Sequence, residues 1–74
     1  MNIRVKLYGV FRIGRFKDEI RAYPEGTRIA EVVRDLGFSE HLLGTVVVND
    51  RHVSVEQELR DGDCLMILPL LDGG

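Results

Sequence analysis

Hydrophobic and polar residues alternate along the first part of the chain. Residues 2–8 alternate strictly, which is typical of a strand with one buried face. A less regular alternation over residues 16–23 follows the glycine-bracketed turn 9–14 and stops at Pro24. Two strands with so short a connection are expected to pair as an antiparallel hairpin. The buried side of the first strand is predicted to consist of Ile3, Val5 and Leu7.

The hydrophobic period lengthens after this hairpin, where the sequence predicts one amphipathic helix of about ten residues. Thr27 is expected to cap its amino end, and Gly37 is placed to end it in a left-handed conformation. Glu31 lies four residues after Thr27 rather than three, so a full capping box is not expected. The apolar stripe of this helix consists of Ile29, Val32, Val33 and Leu36.

Further strands are predicted in the second part of the chain. A β-branched run over residues 45–48 closes at Asn49 and Asp50, a short extended piece follows, and the turn 60–63 leads into the apolar run 64–68. Four to five strands with one main helix predict an α+β fold, in which the helix packs on one face of a mixed sheet. By side-chain alternation the helix-facing residues are Ile3, Val5, Leu7, Val46, Val48, Leu65 and Ile67.

Hydrophobic side chains are also predicted on the other, open face of the sheet. A contiguous exposed apolar patch on a small domain usually marks an interaction site. A shift of one residue in the alternation would instead bury this set and expose Leu65 and Ile67, and this alternative stays open from the sequence. The predicted partner-binding residues are Tyr8, Val47, Met66, Leu68, Leu70 and Leu71.

Composition and charge narrow the class of protein. The 74 residues are 45% hydrophobic and 30% charged, with one cysteine, as expected of one globular domain without a disulfide framework. We expect a cytoplasmic protein, because the sequence shows neither an export signal nor a long apolar run. Residues 1–37 carry eight Lys/Arg against five Asp/Glu, and residues 38–74 carry two against seven. This asymmetry favours a protein partner over nucleic acid. No membrane partner is expected, because the sequence has no long apolar run.

Several reactive side chains have simpler structural interpretations. Cys64 is expected to be a packing residue, with a thioester or persulfide acceptor as the alternative. His41 and His52 with Asp50 do not match a metal-ligand spacing, so no metal site is predicted. The sequence shows neither paired carboxylates nor a nucleophile beside a base, so we expect no autonomous enzyme. Three basic residues, Arg12, Arg15 and Lys17, are expected to lie in a solvated turn. The alternative is that they bind a phosphate group or an acidic partner.

The most specific pattern lies near the end of the sequence. Residues 69–74 read PLLDGG, and "VND" at 48–50 and "LRDGD" at 59–63 precede them. Together with the ββαββ order, this combination resembles the MoaD/ThiS family of ubiquitin-like sulfur carriers over the whole chain. The segments "VKLYGVFR" and "VVVNDRHV" look more like the MoaD branch, the small subunit of molybdopterin synthase. The tail differs from the usual MoaD tail, since it has one proline, Pro69, and an acidic Asp72.

The resemblance implies a β-grasp domain over residues 1–68 and a flexible tail over residues 69–74. It implies that an adenylating enzyme of the ubiquitin-activating type (MoeB/ThiF-like) converts the carboxylate of Gly74 to an acyl-adenylate, which sulfur attacks to give a thiocarboxylate. Gly73 and Gly74 have no Cβ and can enter a narrow channel. Pro69 is expected to end the last strand and release the tail from the sheet.

The resemblance also implies the acceptor of the sulfur. A MoaD-like carrier would insert its tail into a MoaE-like large synthase subunit, in molybdenum cofactor biosynthesis. The alternatives are a ThiS-like carrier that serves thiazole synthase, a carrier for tRNA thiolation or protein conjugation, and a plain ubiquitin-like interaction module. In each case the chain is expected to bind no cofactor of its own and to act as a carrier or non-catalytic subunit.

Overall fold

The computed structural model describes residues 1–70 of the chain, as five strands, one α-helix and two short 3-10 turns. The 3-10 turns are Gly9–Arg12 and Glu40–Leu42. The α-helix is α1, Ile29–Asp35. The strands are β1, Asn2–Leu7; β2, Asp18–Ala22; β3, Leu43–Val48; β4, Arg51–Val53; and β5, Cys64–Pro69.

The five strands form one mixed sheet in the order β2-β1-β5-β3-β4. The first hairpin, β1 with β2, is antiparallel as predicted. The first and last strands, β1 and β5, lie side by side and parallel at the centre, while β3 pairs antiparallel with both β5 and β4. The α+β architecture of a mixed sheet with one main helix is therefore confirmed, with five strands rather than four.

The core lies between α1 and one face of the sheet. All seven predicted helix-facing residues of the strands are buried, together with Ile29, Val32 and Val33 of the helix. This confirms the predicted alternation and excludes the one-residue shift. The aromatic part of the core was not predicted: Phe11 in the first 3-10 turn stacks on Phe38, with 4.2 Å between ring centroids.

The helix begins later than predicted. Ile29 is its first residue and Arg28 stands at the cap position, where Glu31 accepts a hydrogen bond from the Arg28 N–H at 3.0 Å. The Thr27 hydroxyl donates instead to the Pro24 carbonyl at 2.7 Å, so the prediction that Thr27 caps the helix is wrong. The reason is a β-bridge between Arg28 and Glu58, which keeps the chain extended one residue longer. The predicted left-handed Gly37 is confirmed, with φ +78°.

Two of the motifs singled out in the sequence form one hydrogen-bonded unit. Asn49 and Asp50 both have positive φ, 51° and 69°, as a type I′ turn between β3 and β4 requires. The Asn49 side chain donates to Asp63 Oδ1 at 2.9 Å and accepts from the Cys64 N–H at 3.0 Å. Asp63 in turn accepts from the Arg60 N–H at 2.8 Å. The "VND" and "LRDGD" segments thus fix the start of β5.

Candidate functional site

The register of the strands places three of the predicted partner-binding side chains, Val47, Met66 and Leu68, on the open face. Across the sheet, Met66 of β5 lies between Lys6 of β1 and Val47 of β3, and Val47 pairs with His52 of β4. Their chain neighbours on β3 and β5 are buried against the helix, so these residues face the other way. The open face is therefore apolar at its centre and polar toward its edges.

These apolar residues form a patch that continues to the end of β5, and we call it the docking face. Val47, Met66 and Leu68 are half-buried, Tyr8 is 36% exposed and Leu70 is 57% exposed. Tyr8, Leu68 and Leu70 also line one shallow groove of about 520 Å³. Three further predicted site residues lie outside the described part of the chain: Leu71, Gly73 and Gly74.

The last described residues remain paired with the sheet. Pro69 is the final residue of β5 and lies opposite Leu43, and the Leu70 N–H donates to the Leu42 carbonyl at 2.7 Å. The expectation that Pro69 ends the last strand is confirmed, although Leu70 still bonds to the sheet. The expected release of the following residues lies outside the described part of the chain. Successive N–H groups point to opposite sides of a strand, so the proline nitrogen faces the β1 side. On that side β1 has already ended, and the chain turns away from β5 at Gly9. The missing N–H of Pro69 therefore removes no hydrogen bond from the sheet.

Two glycines enclose this exit point. Gly9 was predicted only as one end of a turn, and no role was predicted for Gly44. A Cβ on Gly44 would lie 2.7 Å from the Pro69 carbonyl oxygen and 2.8 Å from the Leu70 nitrogen. A Cβ on Gly9, whose φ is +56°, would lie 2.9 Å from Pro69 Cγ. The β3–β5 ladder shifts register at Gly44. A glycine at the start of a strand is the sequence signal for such close backbone approach.

Basic side chains lie beside the docking face on β1. Arg4 holds Asp18 of β2 through two hydrogen bonds of 2.9 and 2.7 Å. The hydrogen bond from Arg4 lowers the pKa of Asp18, and the same bond raises the pKa of Arg4. Both groups are solvent-exposed, so the pair contributes little to stability. The Arg4 side chain is therefore paired with a residue of β2, while Lys6 lies next to Met66.

On the helix side, Arg21 of β2 is also engaged. It donates to the Tyr23 hydroxyl at 3.2 Å and to Glu19 at 3.1 Å, and its guanidinium lies over the Phe16 ring. Burial raises the pKa of Tyr23, while the hydrogen bond from Arg21 opposes this shift. The bond to Tyr23 raises the pKa of Arg21. This face of β2 is therefore polar and partly ordered by its own side chains.

The structure does not gather the three basic residues of the first turn into one site. Arg15 donates to the Leu36 carbonyl at 3.0 Å and lies over the Phe38 ring, 4.4 Å from its centroid, so it covers the end of α1. Arg12 and Lys17 line a separate small cavity beside Asp18. Arg15 is therefore a structural residue.

The remaining candidates of the sequence lie apart from one another. Cys64 is half-buried, and its N–H is bound by Asn49 at the start of β5. Across residues 1–70, no three or more His, Cys, Asp or Glu side chains come together in a way that could hold a metal ion. In the same part of the chain, no helix has the length and apolar character needed to cross a membrane.

Solved structures share this architecture. A Pyrococcus furiosus protein described as molybdopterin converting factor, subunit 1, is 28% identical, with a TM-score of 0.78 over 96% of this chain and 99% of that one. SAMP1 of Haloferax volcanii is 13% identical, with a TM-score of 0.74 and full coverage of both chains. In Helicobacter pylori, a protein from the complex of subunits 1 and 2 of molybdopterin-converting factor is 18% identical, with a TM-score of 0.67 and full coverage. The last two show the fold alone.

Within residues 1–70, the mixed sheet with one α-helix packed on one face defines a ubiquitin-like β-grasp protein. The sequence model of the ThiS family matches residues 5–74. The chain therefore belongs to the ThiS family of small sulfur carriers, and the family resemblance stated from the sequence is confirmed.

Proposed function

We propose that this chain carries sulfur as a thiocarboxylate on Gly74 and acts as the MoaD-like small subunit of molybdopterin synthase. In this proposal the β-grasp domain docks on its partners through the docking face, and residues 69–74 enter their active sites. The observation that carries the proposal is the position of the docking face, which continues without a break into Pro69 and Leu70. The 28% identity to a protein described as molybdopterin converting factor, subunit 1, favours the MoaD-like role.

The anchored base of the tail suits this task. The hydrogen bond between Leu70 and Leu42 sets the direction in which the chain leaves the sheet. Four residues follow Leu70, and at 3.3–3.6 Å per residue they reach at most about 14 Å from it. A docked domain would need to lie within that distance of the reacting atoms. An anchored base also reduces the conformational entropy that is lost when the tail enters a channel.

The chemistry requires a partner that activates the carboxylate. A carboxylate is ionised at neutral pH, with a reference pKa of about 3.3–3.7 for a chain terminus, and is a poor electrophile. The adenylating partner (MoeB/ThiF-like) would join it to the AMP part of ATP and release pyrophosphate. A sulfur nucleophile at the oxidation level of sulfide would then displace AMP and leave the thiocarboxylate. The carrier presents the group, and its partners catalyse both steps.

Intact mass spectrometry tests this function. The chain is incubated with ATP, a MoeB/ThiF-like enzyme and a sulfide source, and the expected result is a gain of about 16 Da, as oxygen of the terminal carboxylate is replaced by sulfur. A reaction without ATP should leave the mass unchanged. If an adenylating enzyme that modifies a control carrier leaves this chain unmodified, the chain is an interaction module and the proposal fails.

The acceptor separates the two branches of the family. The thiocarboxylated protein is added to a MoaE-like subunit with its precursor substrate, or to a thiazole synthase. Sulfur transfer to the MoaE-like subunit's substrate supports the MoaD-like role. Transfer only in the thiazole synthase reaction would assign the chain to the ThiS-like branch.

The substitution Met66→Glu is expected to weaken binding to the adenylating enzyme about tenfold or more, a loss of about 1.4 kcal/mol. Met66 lies at the centre of the docking face, where an interface excludes water and a buried charge without a partner is costly. The fold should tolerate this change, because Met66 is only half-buried on the open face of the sheet. Isothermal titration calorimetry with the purified enzyme measures the effect.

The matched control is Ile13→Glu, which adds the same charge at an apolar side chain that is 73% exposed and lies in the first turn. This variant should bind as the unmodified protein does. Equal weakening by both variants would mean that net charge, and not the docking face, determines the affinity.

A further inference from the structure

The outer edge of β2 is complementary to itself. Strand β2 stands at one end of the sheet order, and within residues 1–70 no strand pairs with its outer side. We propose that two copies of this chain associate through this edge, with their β2 strands antiparallel and a two-fold axis at Ile20. This proposal does not depend on the function proposed above.

The hydrogen bonds to β1 show which backbone groups of β2 face outward. The Tyr23 N–H donates to the Met1 carbonyl, and the Leu7 N–H donates to the Lys17 carbonyl, both at 3.0 Å. The direction of these bonds alternates along an antiparallel strand. The backbone N–H and C=O groups of the odd-numbered residues of 17–23 therefore point toward β1. The even-numbered residues between them direct their N–H and C=O groups away from the sheet.

These outward groups match an antiparallel copy centred on Ile20. In that register Ile20 lies opposite Ile20 of the second copy, and Asp18 lies opposite Ala22. Both pairings join residues whose N–H and C=O groups face outward, so each group finds a partner. Unpaired edge groups are a template for association, which Lys or Pro residues often prevent. The segment 18–22 contains neither residue type.

The charges of β2 are complementary in the same register. Glu19 and Arg21 lie on one face of the strand, where their side chains form an ion pair at 3.1 Å. The antiparallel copy places its Arg21 opposite Glu19 and its Glu19 opposite Arg21. These are the non-hydrogen-bonded positions, at which facing side chains come closest. The four charges therefore alternate in sign around the two-fold axis.

The same charges exclude neighbouring registers. A slip of two residues in one direction places Glu19 opposite Glu19, and a slip in the other places Arg21 opposite Arg21. Like charges directly opposite each other destabilise a strand pair. Charge complementarity thus selects the register that also satisfies the outward backbone groups.

The opposite face of the strand supplies an apolar contact. Ile20 is 70% exposed although it lies in the middle of a strand, and its neighbour on β1 is Arg4. Pairing brings the two Ile20 side chains together and removes apolar area from water. The adjacent Asp18 is already neutralised by Arg4 at 2.7 Å, so it does not repel the second copy.

This association leaves the proposed sulfur-carrier site accessible. The sheet order places β1 between β2 and β5, so the docking face and Pro69 lie away from the contact. Because the two-fold axis reverses the strands, the two β5 ends point in opposite directions. A dimer could then present two tails to two partners.

Sedimentation velocity over a concentration series tests the proposal. A single strand pair is smaller than a standard interface, so we expect a dissociation constant between roughly 10 µM and 1 mM. The mass should rise with concentration from 8.4 kDa toward twice that value. Glu19→Arg and Arg21→Glu should each weaken association at least tenfold, because each opposes like charges. An equimolar mixture of these two variants should associate at least as tightly as the unmodified chain.

Two comparisons keep the outcome clear. Arg51→Glu reverses a charge on β4, the strand at the other end of the sheet, and should leave association unchanged. Arg21 also binds Tyr23, so circular dichroism melts must show that each variant is folded; Glu19→Arg leaves that bond in place. The proposal is overturned if the unmodified chain stays monomeric to 1 mM, a limit of roughly 4 kcal/mol. It is also overturned if Glu19→Arg associates as tightly as the unmodified chain. The same holds if the equimolar mixture associates no more tightly than either variant alone.

Discussion

Addition of one alanine after Gly74 is expected to reduce thiocarboxylate formation about a hundredfold or more, because a displacement of about 1 Å from the reacting geometry can already cost that factor. The proposed reaction joins the carboxylate of Gly74 to AMP. An added residue moves the reacting carbon one residue further into the channel and introduces a Cβ there. The measurement is the mass gain of the chain under the conditions that modify the unmodified protein.

The fold and the docking face should not change in this variant. Its melting temperature and its affinity for the adenylating enzyme in the absence of ATP serve as controls. Gly73→Val should give a similar loss, because a β-branched side chain restricts the backbone and widens the tail. If the extended chain gains sulfur at the normal rate, Gly74 is not the acceptor and the proposed chemistry is wrong.

The strands of the sheet could be predicted because their side chains alternate with a period of two. Residues 2–8 carry the alternation without interruption, and the buried Val5 and exposed Arg4 follow it in the structure. The alternation also placed Met66 on the open face. This kind of information is local, so it needs no knowledge of which strands pair.

Features that depend on contacts between distant segments could not be predicted. Phe11 lies in a segment that reads as a turn, and it is buried because Phe38 from beyond the helix stacks on it. The start of α1 is delayed by the bridge to Glu58. Tertiary contacts override local propensity in both cases.

The exit of the tail shows the same limit at the candidate site. Pro69 signals the end of a strand on local grounds, but whether the chain leaves the sheet depends on the groups around it. Leu42 lies within hydrogen-bond distance of Leu70, and Gly44 is the residue that permits this approach. The local rule for proline was therefore correct about the end of the strand, but it could not show that Leu70 still bonds to Leu42.

The substitution Gly44→Ala is expected to destabilise the protein and displace the base of the tail. The new Cβ would lie 2.7 Å from the Pro69 carbonyl oxygen and 2.8 Å from the Leu70 nitrogen, both backbone atoms that cannot rotate away. Overpacking of this kind costs about 1–3 kcal/mol. Alanine also lowers the conformational entropy of the unfolded chain, which offsets only about 0.4–1 kcal/mol of this cost. The midpoint of thermal unfolding should fall by roughly 4–8 °C for each net kcal/mol.

Displacement of the tail should appear separately from the loss of stability. The Leu70 amide is expected to exchange with solvent faster in Gly44→Ala, because its bond to Leu42 breaks when the two strands separate. Sulfur loading should slow as well, since the tail leaves the sheet in another direction. Val46→Ala is the matched control: it creates a cavity in the same strand at a cost of about 2–3 kcal/mol, but Val46 faces the core. At a temperature at which both variants are folded, Val46→Ala should load normally and Gly44→Ala should not. If the two load at the same rate, the bond between Leu70 and Leu42 does not position the tail.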